Sequence, residues 1–258
     1  MNFFAEKTEY SAIRLMREKY LQSIPYSQEL FLEFKIRFGQ YFLITEINNS
    51  VAGYIVTDSE NVLLEFYVEN KYLFFCEEVF DNIFSQLKIK SVYCKSFDSI
   101  LLKCCFAKLN HYQLSGHLFR DYSGEPCSVT DLNMKPANSS DKSLLLSIND
   151  NFFENSEDLD YWLTENSLYI FTNPQGIIGC GLLHKINQFY DYYDLGMLVN
   201  PIFQKQGYGT KIVKSLVNYC QTNNWKPVCG CAAENIASRK TLEKAGFISK
   251  HSMIEFKT

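Results

Sequence analysis

Asn200-Pro201-Ile202-Phe203-Gln204-Lys205-Gln206-Gly207-Tyr208-Gly209-Thr210 is the stretch on which the reading of this chain turns. It follows Tyr190–Val199, which reads as a strand, and leads into Gly209–Gln221. In that second run Ile212, Val213, Leu216, Val217 and Cys220 fall on one helical stripe. Glycines at a strand-to-helix turn let the backbone approach a ligand and take positive φ. The first turn of the helix leaves several N–H groups without intrahelical partners, and the macrodipole adds positive potential there. Together these make a phosphate cradle that needs no lysine side chain. A plain loop with a helix cap is the alternative. The chain lacks Gly-x4-Gly-Lys-Ser/Thr, so the stretch is not a P-loop, and it lacks the three glycines and downstream acid of a dinucleotide-binding βαβ unit. What remains is a pyrophosphate site using two glycines.

Downstream, Pro227–Ala232 reads as a strand, Asn235–Ala245 as a helix closed by Gly246, and Phe247–Phe256 as one or two last strands. Upstream, Leu132–Lys135 is a short strand and Asp141–Asn149 a helix with Ser139 and Ser140 as cap candidates. Asp158–Leu163 is a short helix, and Leu168–Thr172 with Ile177–His184 forms a hairpin around Asn173-Pro174-Gln175-Gly176. The first half runs in the same order. Its first forty residues read as two helices, Tyr10–Tyr20 (with Ile13, Leu15, Met16 and Tyr20 at helical spacing) and Tyr26–Phe38. Strands Tyr41–Thr45, Val51–Thr57 and Val62–Val68 follow, then a helix Phe74–Leu87, a strand Ser91–Cys94, a helix Ser99–Leu109 and an alternating stretch.

Matching orders point to a diverged tandem repeat. Phe66-Tyr67-Val68 stands against Met197-Leu198-Val199, and Val92 and Lys108 against Val228 and Lys244. The joint falls near Tyr122–Cys127, where Ser123-Gly124-Glu125-Pro126 breaks both periodicities, giving domains 1-124 and 125-258.

Composition narrows the function classes. The chain is 47% hydrophobic and 21% charged, enough to bury a core rather than stay disordered. Net charge is −4 with no basic block, which argues against a nucleic-acid surface. No run approaches the ~18 apolar residues of a membrane helix, and the N-terminus does not read as a signal peptide, so a cytoplasmic protein with no membrane partner is expected. Nine cysteines with no secreted-framework spacing read as buried reduced thiols; Cys229-Gly230-Cys231 has no second pair and no adjacent His, so no metal is expected.

The motifs resemble those of the GNAT superfamily of acetyl-CoA-dependent N-acyltransferases. Its phosphate loop reads Gln/Arg-x-x-Gly-x-Gly/Ala, matched by Gln204-Lys205-Gln206-Gly207-Tyr208-Gly209. Its next signature is an Asn opening a helix that ends in Glu-Lys-x-Gly-Phe, matched by Asn235-Ile236-Ala237-Ser238 leading to Glu243-Lys244-Ala245-Gly246-Phe247. That second segment is also similar to the branch containing zwittermicin-resistance acetyltransferases. The resemblance covers Asn133–Thr258 well and the first half in outline. It implies an α/β (α+β) fold: two GNAT-like mixed-sheet domains in tandem, the first degenerate.

It also implies a division of labour around acetyl-CoA. Backbone N–H groups from Gln204 through Lys205, Gln206, Gly207, Tyr208 and Gly209 to Thr210 would hold the pyrophosphate. Met197, Leu198 and Val199 would pair with pantetheine, and an N–H near Leu198 or Val199 would polarise the thioester carbonyl. Asn235 and Ser238 would bond the pantetheine arm, with Asn235 also a good cap of its own helix. Many members carry a Tyr that protonates the departing thiolate; Leu242 stands there, leaving Cys231 and Tyr208 as conceivable substitutes. A general base for an alkyl amine falls to Asp191 or Asp194, flanking Tyr193, with solvated strand-end acids as the alternative. In the first half Leu73–Glu78 has no glycine, and bulky Phe74 and Phe75 would block backbone approach, so that half is expected to have lost CoA binding and to complete the substrate cleft or form an interface.

The implied activity is an acyl-CoA-dependent N-acyltransferase moving acetyl to a primary amine, of a small molecule or a peptide, by direct attack in a ternary complex. A non-catalytic acetyl-CoA-binding sensor or interaction module is the alternative, and homodimer formation stays open.

Overall fold

The computed structural model describes residues 2–125 and 131–258. Pro126 and Cys127, at the expected joint, lie outside the described residues. Contacts divide the chain into two units, 1–117 together with 251–258, and 118–250.

The first unit opens with a strand, β1 (Phe3–Thr8), antiparallel to β2 (Gln40–Glu46). Sequence reading placed only helices in the first forty residues; six residues with one buried aromatic, Phe3, carry too little periodicity to announce a strand. Helices α1 (Tyr10–Ser23) and α2 (Leu30–Arg37) follow, then β3 (Val51–Thr57), β4 (Val62–Val68), a 3-10 turn over Asn70–Phe75, α3 (Cys76–Gln86), β5 (Ser91–Lys95) and α4 (Ser99–Lys108). The stripe that α1 buries is Ile13, Arg17, Tyr20 and Leu21, while Leu15 is 67% exposed. The helix turns a charge inward because Arg17 finds carboxylates there. In the hairpin between β2 and β3, Asn49 takes φ 64°, as the turn residues predict.

The second unit repeats this order with β7 (Asn133–Pro136), α5 (Lys142–Ser147), α6 (Ser156–Thr164), β8 (Leu168–Asn173), β9 (Gly176–Lys185), β10 (Tyr192–Val199), α7 (Tyr208–Thr222), β11 (Lys226–Ala232) and α8 (Ile236–Ala245). The cap before α5 is Asn138, in a reciprocal box with Asp141, rather than Ser139 or Ser140. The longer Asn side chain reaches Ser140 N at 2.9 Å, while both serines fall inside the turn it caps. The α7 stripe is Ile212, Val213, Leu216, Val217 and Cys220, all buried, with Phe171, Ile178, Leu195 and Leu242 in the same core. Each such buried aliphatic contributes roughly 1.5–3 kcal/mol. Gly246 closes α8 at φ 114°.

The first unit is not one contiguous stretch, and two strands cross the division. Strand β6 (His111–Tyr122) begins in the first unit, and its last residues, 118–122, belong to the second, where β6 neighbours β11. A single final strand, β12 (Phe247–Lys257), begins in the second unit and ends in the first, where Met253–Lys257 pairs antiparallel with β5. The sequence division at 124/125 cuts through neither strand, whereas the contact division passes through both. No helix among the described residues is long and apolar enough to cross a membrane.

Candidate functional site

In the second unit β10 and β11 run parallel but pair only over Tyr192↔Lys226, Tyr193↔Pro227 and Asp194↔Val228. Beyond Asp194, β10 stays in register with β9, from Leu195↔Leu183 to Val199↔Gly179, while no further pairing holds it to β11. Asn200 N donates to Ile178 O, and Ile186 N to Tyr192 O, so even-numbered residues of β10 turn their N–H and C=O toward β9. Asp191 O accepts from Lys226 N, on the opposite edge. Leu195, Met197 and Val199 therefore present backbone groups to the open edge, and the Leu198 N–H is directed into the β9 ladder.

A cavity of about 630 Å³ occupies this splay. Leu195 to Val199 form one wall and Gly230 and Cys231 the other. Gln204, Lys205, Gly207, Tyr208, Gly209 and Thr210 lie at one end, with Asn235 and Ser238 from the start of α8. The eleven cofactor candidates Met197, Leu198, Val199, Gln204, Lys205, Gly207, Tyr208, Gly209, Thr210, Asn235 and Ser238 thus meet in one cavity, while Gln206 is outside its lining and donates to Ile202 O.

The loop end is built for backbone approach. Gly207 caps α7 at φ 85°, and a Cβ there would meet nothing within 4 Å. Lys205 also takes positive φ, 59°, a conformation costly for a side-chain-bearing residue. At Gly209 a Cβ would come within 3.0 Å of Thr241 Cγ2, so glycine permits the close packing of α7 on α8. Asn235 Oδ1 accepts from Ser238 N at 2.9 Å; it caps its own helix, and its amide nitrogen is left as the donor group.

The catalytic candidates are placed elsewhere. Asp191 is exposed and pairs with Lys185 at 2.9 Å, a hydrogen bond that raises the lysine pKa. Tyr193 packs against the α7 core and stacks on Trp225 at 4.0 Å; burial pushes its phenol up. Asp194 lies on the opposite face, directly across the ladder from His184. None of the three is in the cavity lining. Leu242 is 1% exposed and belongs to the core beneath the cavity. Tyr208 and Cys231 both line the cavity, and the Tyr208 hydroxyl accepts from Asn173 Nδ2 at 3.2 Å. Among the described residues no group of three His, Cys, Asp or Glu is placed to hold a metal ion.

Sequence reading gave no site role to Asp150, Asn151 and Phe152, in the loop before α6, or to Lys240 and Lys244 on α8, all of which line the cavity. Asp150 accepts from Gln204 Nε2 at 2.9 Å. Phe152 lies over Gly196, 3.0 Å from where a Cβ would stand. The loop carries no motif. Lys240 and Lys244 were readable as an i,i+4 pair on the helix that Asn235 opens.

The first unit has the same splay and fills it. β4 and β5 pair only at Val62↔Ser91 and Leu63↔Val92. In the repeat alignment Glu65 stands at Gly196 and Lys95 at Cys231. Both are 0% exposed. Gln28 joins them, donating to Glu65 Oε1 at 2.7 Å and accepting from Lys95 Nζ at 2.7 Å. Arg17 pairs with Glu65 at 2.9 Å and Glu33 at 2.8 Å, and Tyr20 donates to Asp98 at 2.6 Å. At the turn before α3, Phe74 is 91% exposed, and Glu77 and Glu78 occupy the first helical turn.

Two family models, each described as an acetyltransferase (GNAT) domain, match residues 9–122 and 130–248. A GNAT-family acetyltransferase from Colwellia psychrerythraea superposes with a TM-score of 0.88 at 16% identity, covering 100% of this chain and 99% of that one. A tandem GNAT protein from the clavulanic acid biosynthesis pathway does so at 0.58 with 7% identity, covering 100% and 98%. At these identities the likeness is one of fold. The uncharacterized N-acetyltransferase YjdG of Bacillus subtilis (strain 168) is 30% identical over 66 residues, 25% of this chain and 39% of that relative's length.

Proposed function

The chain belongs to the GNAT acetyltransferases, with two GNAT domains in tandem, and from that premise we propose that its second unit takes acetyl-CoA in the β10–β11 splay and moves the acetyl group to a primary amine. The observation that carries this reading is the cavity itself. The two ordered motifs converge on it, and its strand edge is left open by the ladder register.

The residues fit such a cosubstrate. Open space at Gly207 permits backbone approach, and the N–H groups of Tyr208, Gly209 and Thr210 have no intrahelical acceptor in the first turn of α7. Lys205, Lys240 and Lys244 add positive charge for phosphate groups. The open edge of Met197 and Val199 would pair with an amide-bearing arm, and Asn235 Nδ2 would donate to it. One N–H of that edge, from Met197 or Val199, would polarise the thioester carbonyl. Leu242 holds no proton, so the thiol, of ordinary pKa about 8.5, leaves as thiolate. When bound, the thioester supplies the acyl group; the protein supplies orientation and a dry wall of apolar side chains.

The first unit, in this reading, takes no acetyl-CoA. Its splay is tied shut by Glu65, Gln28 and Lys95, and its α3 terminus offers carboxylates instead of a glycine cradle.

Thiol release from acetyl-CoA across a panel of primary alkyl, aryl and peptide amines tests the activity. The expected result is turnover with at least one amine class, absent in Gly207→Asp. Binding of acetyl-CoA without release for any amine would instead favour a non-catalytic acetyl-CoA-binding module, the reading that Leu242 favours.

A further inference from the structure

On the face of β9 and β10 that carries Phe152 stands a polar group that the cavity lining does not include. Ser167 Oγ lies 2.7 Å from His184 Nδ1. Ser167 Oγ also lies 3.3 Å from Glu165 O. A hydroxyl has one proton, and a carbonyl can only accept it. Both contacts are satisfied together only if Ser167 donates to Glu165 and accepts from an Nδ1–H. That assignment leaves Nε2 as the lone-pair nitrogen of the ring.

The ring is held on its other sides as well. Trp162 packs edge-on against it at 5.2 Å between centroids, with Tyr161 at 6.4 Å. Asp194 is its direct partner across the β9–β10 ladder, so both side chains stand on one face. Ser167, Tyr161, Trp162 and Asp194 therefore all face the imidazole. Ser167 is 3% exposed, which removes it as a nucleophile, whereas His184 is half-buried.

The pair also has a defined place in the ladder relative to the splay. Leu182↔Gly196 is the next pair on the same face, and Gly196 lines the cavity under Phe152. One such step along the strand is about 7 Å, a span that the imidazole and one water bridge.

We infer that His184 is the proton acceptor for the amine substrate, with Ser167 as the residue that positions it and Asp194 facing it across the ladder. This rests on the transferase reading above. An alkylammonium gives one proton to Nε2, leaving a neutral amine and an imidazolium. The amine lone pair attacks the thioester carbonyl, the C–N bond forms and the C–S bond breaks. The electron pair leaves on sulfur, the second amine proton passes to the thiolate, and the imidazolium returns its proton to water. The candidates Asp191 and Tyr193, one salt-bridged on the rim and one stacked on the far face, take no part in this step.

The test uses the full chain, saturating acetyl-CoA and n-butylamine as the probe. His184→Gln is expected to bind acetyl-CoA as the wild type does by calorimetry. Its kcat should fall at least about 100-fold, and the acid limb of its pH profile, where imidazoles titrate, should disappear. Ser167→Ala should keep the limb but move it. A His184→Gln enzyme with wild-type kcat and an unchanged limb overturns the proposal. So does a wild-type ¹⁵N spectrum showing His184 protonated at Nε2 rather than Nδ1, a readout that needs no variant. Failure of the wild type to bind acetyl-CoA would instead remove the transferase reading.

Discussion

Glu65 and Asp98 are buried carboxyls that share the cation Lys95, yet they respond to pH in opposite senses. Burial pushes the Glu65 carboxyl up, but the charge and hydrogen bonds of Arg17 outweigh it and hold Glu65 below the ordinary carboxylate range. The unfolded chain then binds the extra proton, so the stability Glu65 contributes is present above its unfolded pKa and lost as pH falls through the folded one. At Asp98 burial wins over the pull of Lys95 and the pKa is raised. Its contribution is present below the unfolded value and is lost as pH rises through the folded one. The two contributions therefore slope with pH in opposite senses, Glu65 below its unfolded pKa and Asp98 above its own. Asp98→Asn should make the first unit lose stability more steeply toward acid than the wild type. Glu65→Gln should flatten that slope and cost about 3–5 kcal/mol, because Arg17 and Lys95 stay buried. Both tryptophans, Trp162 and Trp225, lie in the second unit, so the measurement is hydrogen exchange of β4 and β5 amides against pH. Wild-type slopes in both variants would contradict the argument. None of this network was legible in the sequence. A helix stripe predicts apolar residues, and Arg17 sits in one only because Glu65, 48 positions away, meets it.

At the scale of elements, the splay depends on which edge of β10 each residue addresses. Proline removes one N–H and is tolerated where no ladder bond is lost. Leu198→Pro breaks a bond to β9 and should destabilise the second unit by about 3 kcal/mol or more. Met197→Pro or Val199→Pro should be better tolerated in thermal melts, and one of them should lose about 100- to 1,000-fold in kcat through the missing oxyanion donor. Melts in which Leu198→Pro is the mild variant would mean the register is wrong. The sequence carried most elements well, above all α7, whose buried stripe is the predicted one. It did not carry the splay, because the β11 sequence reads as a strand along its whole length, and divergence from β10 is set by packing and not by local pattern. It also placed the backbone donor only near Leu198 or Val199; the parity that separates Met197 and Val199 from Leu198 appears only with the β9 register.

For the whole molecule, the tandem repeat was readable from element order, and Gly207 with Asn235 showed which copy keeps a glycine cradle. The exchange of last strands was not readable. β6 and β12 look like ordinary closing strands of their own halves, and only the pairing of Met253–Lys257 with β5 reveals otherwise. A cut at 124/125 would accordingly deprive β5 of its β12 neighbour. What separates the two copies chemically is small: Gly196 and Cys231 line a cavity where Glu65 and Lys95, bridged by Gln28, close one. Calorimetric titration of the full chain with acetyl-CoA tests that contrast most directly. One site per chain, abolished by Gly207→Asp, is the predicted result. Two sites per chain, no binding, or binding that survives Gly207→Asp would contradict it.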